Sequence, residues 1–229
     1  MRSGRRIALI IPALNEAAAL PHVLSAVPPW VDRVIVADNG STDATASVAQ
    51  AHGAAVVAEP RRGYGWACRA GLLAAGDADI CVFADGDAAD RLADMAGLVD
   101  PILAGRADFV LASRTAGTAE PDALTLPQRA GNWLACRLIR LFWGADYTDL
   151  GPFRAIRREA LVGLALTQMT YGWTVEMQIR AVRQGLQVEE IATPYARRIG
   201  RSKVSGTLRG VVCAGYKILA VIAAEARRS

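Results

Sequence analysis

The chain has 229 residues and a mass of 24.3 kDa, enough for one large domain with a full hydrophobic core. Hydrophobic residues make up 52% and charged residues 21%, a composition that excludes intrinsic disorder as the main state. The net charge of +4 and the isoelectric point near 9.1 are too mild for a uniformly positive surface, so no nucleic-acid partner is predicted.

The positive charge is almost entirely arginine, because Lys203 and Lys217 are the only lysines. Guanidinium groups bind phosphate oxygens bidentately, so this composition favours an anionic ligand. A bias toward arginine codons accounts for the same excess equally well. Composition alone therefore leaves the ligand open.

Cysteine and histidine exclude other kinds of site. Without any CxxC pair, the cysteines are predicted to be small buried side chains in a reducing cytoplasm: Cys68, Cys81, Cys136 and Cys213. The two histidines, His22 and His52, fall in unrelated helical patterns, which argues against a histidine zinc site. Any metal is therefore expected on carboxylates.

The first residues resemble the basic and apolar parts of a signal peptide. Pro12 and the polar pair Asn15-Glu16 interrupt the apolar run, and no small-residue cleavage site follows, so we predict a first strand instead. No run reaches the roughly 20 apolar residues that span a bilayer. The nearest, 211–224, contains Lys217 and fits either a packing helix or one lying flat on a membrane.

Short apolar runs alternate with helical patterns in the first half of the chain. The predicted strands are 6–12, 33–37, 54–58, 80–84 and 109–112. The predicted helices between them are 17–26, 44–51, 65–75 and 92–104. This alternation predicts an α/β fold with a mostly parallel central sheet and helices on both faces.

The second half has a different pattern. It predicts helices at 127–143 and 173–183, a Gly-Pro segment at 149–156, and a strand near 186–192. A polar loop at 194–206 and a final apolar helix follow. We expect one domain over 1–206 and, over 207–229, an apolar helix that packs on it or lies on a membrane surface.

Three polar clusters follow predicted strands, where parallel sheets bind their ligands. They read PALNE at 12–16, DNGSTD at 38–43 and DGD at 85–87, with Asp90 three residues further on. Taken singly, Asn15 and Thr42 are equally explained as helix caps, and Asn39-Gly40 as a turn. The acidic cluster differs, because neighbouring carboxylates repel one another unless a cation neutralises them. Oxygen ligands of this kind suit Mg²⁺ or Mn²⁺.

Together these motifs resemble the inverting family 2 glycosyltransferases with the GT-A fold, close to the dolichyl-phosphate or polyprenyl-phosphate sugar synthases. Further matches are Ser113-Arg114, Phe153-Arg154 and the Gly-x-Ser-Lys pattern at Gly200, Ser202 and Lys203. The resemblance covers nearly the whole chain and is more specific for the family than for the branch. It implies a nucleotide-diphosphate sugar donor and a divalent metal.

The resemblance also implies roles for individual residues. Four would line the nucleoside pocket: Pro12, Asn15, Glu16 and Asp38. Asp85 and Asp87 would bind the metal and the diphosphate, with Asp87 the more direct ligand, Asp85 partly facing the ribose and Asp90 in support. Asn39 departs from the family, which usually has a second aspartate there, and this leaves the preferred nucleobase open.

Two basic segments are further candidates for phosphate binding. The resemblance places Gly63, in the run Arg61–Ala67, on the donor side, although any loop leading into a helix can carry glycine. The run 197–203 is either a solvated surface or a flap that closes over phosphate through Arg198, Ser202 and Lys203. Arg114 and Arg129 are additional phosphate candidates, each with an ion-pair role as the alternative.

Asp149 and Glu176 are the candidates for the general base that an inverting transfer to a hydroxyl needs. A phosphate monoester acceptor is already anionic and needs no strong base, and the same residues would then position other groups. The sequence leaves this choice open.

These inferences combine into a metal-dependent, inverting hexosyltransferase acting at the cytoplasmic side, with UDP-glucose favoured over GDP-mannose. A polyprenyl phosphate is the favoured acceptor, with peripheral membrane contact, and a small soluble acceptor is the alternative. A sugar-1-phosphate nucleotidyltransferase is disfavoured, because Ala13-Leu14-Asn15-Glu16 replaces the Gly-, Arg- and Lys-containing signature expected after strand one. A non-catalytic nucleotide-sugar or lipid-phosphate binding protein is the alternative from another class.

Overall fold

One twisted sheet organises the computed structural model, which describes residues 1–200 and 208–228. Within those residues its strands are β1 (Ile7–Ala13), β2 (Arg33–Asp38), β3 (Ala55–Ala58), β4 (Ile80–Phe83), β5 (Phe109–Ser113), β6 (Arg154–Arg157) and β7 (Val188–Ala192). Their spatial order is β3-β2-β1-β4-β6-β5-β7, and every pairing is parallel except those of β6. The prediction of a mostly parallel sheet is confirmed.

Helices cover both faces of the sheet, as predicted. They are α1 (Leu20–Ser25), α2 (Thr45–Ala51), α3 (Tyr64–Ala74), α4 (Met95–Leu103), α5 (Leu126–Trp143), α6 (Arg158–Gly163), α7 (Trp173–Arg183) and α8 (Leu208–Ala226). One hydrophobic core joins the sheet to α3, α5, α6, α7 and α8, and a second joins it to α1, α2 and α4. Because both faces are covered, the central strand β1 is apolar and buried throughout.

Strand β6 and helix α6 were not predicted from the sequence. The segment 149–156 was interpreted as a Gly-Pro connection, but its end pairs antiparallel with both β4 and β5. The strand is only four residues long and has charged residues at both ends, so it carries no period-two hydrophobic pattern. Pairing with two buried neighbours, rather than local propensity, makes it a strand.

The final helix, α8, packs against α5 and α7. Val221 and Ile222 are buried there, and the buried carboxylate of Glu225 pairs with Arg180 and Arg183 of α7 at 3.3 and 2.5 Å. Among the residues that the structure describes, no helix is long and apolar enough to cross a membrane. The helix is therefore anchored to the domain along one side.

Three of the four cysteines are buried, as expected: Cys68, Cys81 and Cys136. Cys213 is exposed on α8, so the prediction of burial was wrong there. The apolar run around it belongs to a helix that has apolar residues on its exposed side as well as on its buried side.

Gly71 provides a test of how closely α3 approaches the sheet. A Cβ there would lie 2.3 Å from Cγ2 of Ile10 in β1, so Gly71→Ala should overpack the core and lower the free energy of unfolding by about 1–3 kcal/mol. Gly131→Ala on α5 is the matched control, because a Cβ there meets no atom within 4 Å. The control should raise stability by about 0.5–1 kcal/mol in urea unfolding. Equal stabilities would contradict the close packing.

Candidate active site

The three polar clusters meet at one edge of the sheet. Strand register places Ala13 at the end of β1 beside Asp38 at the end of β2, and Asp38 beside Ala58 of β3. On the other side, β1 pairs with β4, whose end leads into the acidic turn at 85–90. The fold therefore brings together motifs that are about 70 residues apart in the sequence.

Asn15 and Asp38 join the loops that follow β1 and β2. Asn15 adopts a positive φ of 54°, and its Oδ1 accepts a hydrogen bond from the Thr42 amide at 2.8 Å. The Asn15 amide in turn donates to Oγ of Ser41 at 2.9 Å, while the Ser41 amide donates to Oδ1 of Asp38. These bonds join the two loops into the wall that the sequence predicts for a nucleoside pocket.

Pro12 and Glu16 complete this wall in different ways. Pro12 is a buried residue of β1, so it contributes shape rather than a polar contact. Glu16 is half-buried, its amide donates to Oγ1 of Thr45 at 2.9 Å, and its side chain lies beside Gly86 of the acidic turn.

The side chain of Asn39 forms its hydrogen bonds with backbone groups of the protein. Its buried amide nitrogen donates to the carbonyls of Glu59 and Arg61 at 3.0 and 2.7 Å, and its Oδ1 accepts from the Gly63 amide at 2.8 Å. An aspartate could make only the last of these bonds. The asparagine thus bonds to the loop at 59–63 through both ends of its side-chain amide.

The acidic turn concentrates negative charge at the end of β4. Asp87 is buried, with Oδ1 accepting from the Ala89 amide at 3.0 Å, and Oδ2 of Asp90 accepts from the Asp85 amide at 3.2 Å. Loss of hydration, followed by the charges of Asp87 and Asp90, raises the pKa of Asp85 well above its usual range. Loss of hydration and the charge of Asp87 likewise raise the pKa of Asp90 to about 7. The turn favours a cation.

Arg198 provides positive charge to this turn. The amide of Ile199 donates to the Asp87 carbonyl at 2.8 Å, and that of Ala196 donates to the Ala89 carbonyl at 3.0 Å. This backbone pairing lets the Arg198 guanidinium contact Oδ2 of Asp87 directly. Two residues that lie 111 positions apart thus meet in the site.

Arg114 is held beside the same turn by Asp149. The guanidinium donates to both carboxylate oxygens at 2.7 and 2.8 Å, and the amides of Arg114 and Leu150 donate to them at 2.9 and 2.8 Å. The Arg114 guanidinium also lies 5.2 Å from the centre of the Tyr195 ring. Asp149 is buried and both its oxygens accept hydrogen bonds within the protein, an arrangement that suits the positioning role which the sequence left open beside that of a base.

Glu176 is similarly occupied. Fully buried in the first turn of α7, it accepts hydrogen bonds from the amides of Thr167 and Gln168 at 2.9 and 2.7 Å, and it pairs with Arg180 at 2.8 Å. These contacts fix the loop before α7, whose Met169 carbonyl accepts from the amide of Trp66 at 3.1 Å. Like Asp149, Glu176 is thus engaged by the protein itself, and its contacts shape a loop beside α3.

Gly63 lies where that loop meets the start of α3. Its φ is +149°, and a Cβ there would lie 2.3 Å from the Met169 carbonyl oxygen. The positive φ and the close contact with the Met169 backbone require glycine at this position, whether or not it also approaches a phosphate.

Of the three remaining phosphate candidates, the structure describes one. Arg129 is exposed in the first turn of α5 rather than packed on the acidic turn. Ser202 and Lys203 lie outside the residues that the structure describes.

Sequence reasoning missed the structural role of Arg154. This residue is fully buried at the start of β6, where it donates to the carbonyls of Gly151, Leu150 and Thr174. Burial lowers its pKa to about 10. An arginine inside the apolar run FRAI was the available signal, because such a side chain must find buried acceptors.

The side chains at the acidic turn determine which kind of metal ion could bind there. In the part of the chain that the structure describes, no three His, Cys, Asp or Glu side chains form a ready ligand set. Asp85 and Asp87 offer hard oxygen donors, which fits a Mg²⁺- or Mn²⁺-type site completed by water and substrate phosphates. The residues present therefore fit such a metal.

Comparison with known proteins identifies the family of the chain. The profile described as Glycosyl transferase family 2 matches residues 8–163. An uncharacterised glycosyltransferase of Mycobacterium tuberculosis is 39% identical over 93% of this chain and 95% of its own length. A dolichyl-phosphate hexose transferase of Haloferax volcanii is 31% identical over 97% of this chain and 96% of its own.

A solved structure gives the same result for the fold. Glucosyl-3-phosphoglycerate synthase from Mycobacterium tuberculosis, in complex with Mn²⁺, UDP-glucose and phosphoglyceric acid, superposes with a TM-score of 0.78 at 27% identity. The match covers 98% of this chain and 81% of that one. The chain thus belongs to glycosyltransferase family 2, it has the GT-A fold, and it is similar to the polyprenyl-phosphate sugar transferases of that family.

Asn39→Asp tests whether this residue is structural. The carboxylate would face the carbonyls of Glu59 and Arg61 without a proton to donate, so stability should fall by about 2–3 kcal/mol. Gln50→Glu, an exposed position on α2, introduces the same charge change as a control and should be nearly neutral. Urea unfolding measures both. A stable N39D protein with altered nucleotide preference would instead return Asn39 to the binding site.

Proposed function

We propose that this glycosyltransferase moves a hexose from a nucleotide-diphosphate sugar to a polyprenyl phosphate, with inversion at the anomeric carbon. UDP-glucose is favoured as donor over GDP-mannose, and Mg²⁺ or Mn²⁺ as cofactor. The observation that carries the proposal is the partly buried acidic turn 85–90, with Arg198 and Arg114 at its side and the loops of Asn15 and Asp38 next to it.

The donor assignment is supported by the wall built from Asn15 and Asp38 and by the UDP-glucose complex of the structural relative. A nucleoside would lie between the loops after β1 and β2, with its diphosphate directed toward the acidic turn. Ligands of parallel sheets bind at this edge.

Asp85 and Asp87 would hold the metal, which when bound neutralises negative charge on the diphosphate. The chain's own contribution is to orient that diphosphate and to supply guanidinium groups beside it. Arg198 contacts Asp87, so it would exchange this carboxylate for a diphosphate oxygen on donor binding. Ser202 and Lys203 follow in the same segment and are proposed to act with it.

The acceptor assignment rests on the two occupied carboxylates. Asp149 and Glu176 are buried and bonded within the protein, so neither is free to take a proton from a hydroxyl. A phosphate monoester is already anionic and needs no such base. Arg114, fixed by Asp149 beside the acidic turn, is the candidate for binding that phosphate.

The dolichyl-phosphate hexose transferase among the relatives supports a polyprenyl phosphate as acceptor. The enzyme would then act at the cytoplasmic face of a membrane as a peripheral protein. A small soluble acceptor is the second candidate, because the structural relative was solved with phosphoglyceric acid.

Donor binding can be tested by thermal shift with UDP, GDP, UDP-glucose and GDP-mannose, each with Mn²⁺ or with EDTA. Ligand at about 100 times Kd stabilises the folded state by about 2.7 kcal/mol, which raises Tm by roughly 5–10 °C. We expect a rise with the uridine nucleotides that EDTA abolishes. Asp87→Asn should remove the rise and turnover, whereas Asp77→Asn, at an exposed position, should retain both. A full shift in D87N would contradict the site.

The acceptor can be tested by sugar transfer from the donor so identified. Product should form with a polyprenyl phosphate and not with 3-phosphoglycerate. The reverse preference would favour the soluble acceptor without affecting the donor assignment.

Arg198→Gln tests the contact between Arg198 and Asp87 separately from turnover. Without the guanidinium, Asp87 is left uncompensated, so Mn²⁺ alone should bind several-fold more tightly to R198Q than to the unaltered chain. Turnover should fall, because a group that stabilises the leaving diphosphate is lost. Titration of the Mn²⁺ electron paramagnetic resonance signal measures the binding, with exposed Arg91→Gln as control. Weaker Mn²⁺ binding in R198Q would contradict this role.

A further inference from the structure

Helix α5 exposes large apolar side chains along the side that faces away from the core. Leu126, Trp133 and Leu141 are 79%, 63% and 74% exposed. Their spacing of seven and eight residues keeps them on one side of the helix, opposite buried Ala135 and Ile139. An amphipathic helix that only packed on the domain would place charged or polar residues on this side.

The neighbouring helix α8 shows the same feature. Its inner side is fixed by Val221, Ile222 and Glu225, while its outer side carries Val212 and Tyr216, which are 61% and 75% exposed. Leu219 extends the outer side by a further turn. Helices α5 and α8 pack against each other, so their exposed apolar residues lie on adjacent elements of the fold.

The exposed charged residues of these two helices are basic in the part of the chain that the structure describes. Helix α5 has no acidic residue, and it carries exposed Arg129, Arg137 and Arg140. In the described part of α8 the single acidic residue is the buried Glu225. Arg140 pairs at 2.9 Å with Asp146 in the loop that follows α5, while Arg137 lies 5.8 Å from the centre of the Trp133 ring.

We propose that the outer sides of α5 and α8 form a docking surface for an anionic lipid bilayer. We call it the α5–α8 surface, and it comprises Leu126, Trp133, Leu141, Val212, Tyr216 and Leu219 with the arginines of α5. The apolar side chains enter the boundary between headgroups and acyl chains, the aromatic rings lie at headgroup level, and the arginines bind lipid phosphates. The proposal deepens the proposed function, since it would bring the active site to a lipid-borne acceptor.

A second copy of the chain fits the α5–α8 surface less well. A symmetric pair would bring the arginines of one α5 close to those of its partner, and like charges at an interface oppose association. An anionic bilayer complements the same charges instead. Charge complementarity therefore selects the lipid surface as the occupant.

Co-sedimentation of the full chain with vesicles tests the proposal. We expect binding to vesicles that contain phosphatidylglycerol, weak binding to phosphatidylcholine alone, and loss of binding at high salt. Removing two charges in R137Q/R140Q should weaken binding about 25-fold, at the contribution typical of each basic residue near an anionic membrane. Trp133→Ser with Tyr216→Ser should weaken it roughly tenfold or more.

Matched controls lie on other parts of the molecule. Leu73→Ser removes an apolar residue that is 72% exposed on α3, and Arg33→Gln removes an exposed charge at the start of β2. Both should bind vesicles like the unaltered chain. Equal losses in the controls and in the α5–α8 variants would overturn the proposal, as would failure of the unaltered chain to bind anionic vesicles.

Two further measurements separate this proposal from its alternatives. Light scattering that shows a dimer dissociated by W133S/Y216S would assign the surface to a second copy and overturn the lipid assignment. The thermal shift with UDP-glucose and Mn²⁺ reports the donor site independently of any membrane. If the α5–α8 variants lose vesicle binding but keep the thermal shift, the proposal is supported. If the unaltered chain shows no thermal shift, the proposed donor is overturned, and the vesicle-binding result stands by itself.

Discussion

The rest of the active site depends on the negative charge concentrated at the end of β4. Burial and mutual repulsion raise the pKa of Asp85 and Asp90, so the turn is stable as an anion only with positive charge beside it. Arg198 supplies part of that charge through Asp87. The same imbalance that makes the turn costly in isolation suits it to the metal and the diphosphate that we propose it binds.

The surrounding residues hold the arginines and loops next to the acidic turn in place. Asp149 holds Arg114 through a two-point ion pair, and Glu176 fixes the loop that meets Gly63. Buried Arg154 binds the carbonyls next to Asp149 and so stabilises the same segment. These contacts link the second half of the chain to the acidic turn and to the loops after β1 and β2, which come from the first half.

The proposed acceptor and the α5–α8 surface are connected by the same architecture. The segment that carries Arg198 leads, through residues that the structure does not describe, into α8. A helix whose inner side is tied to α7 by Glu225 and whose outer side is apolar is suited to hold that segment at a bilayer. A phosphate acceptor is already anionic and needs no general base, which agrees with the engagement of the Asp149 and Glu176 carboxylates by other groups of the protein.

The sequence by itself determined the parallel part of the sheet and the acidic turn, because buried strands such as β1 are continuous apolar runs and Asp85 follows one directly. Only the tertiary structure decided β6, whose four residues become a strand by pairing with β4 and β5. It also decided which groups Asn39 and Asp149 contact, since their partners come from other segments. Local pattern reports burial and turns, whereas a side chain's function depends on which distant groups satisfy its hydrogen bonds and charge.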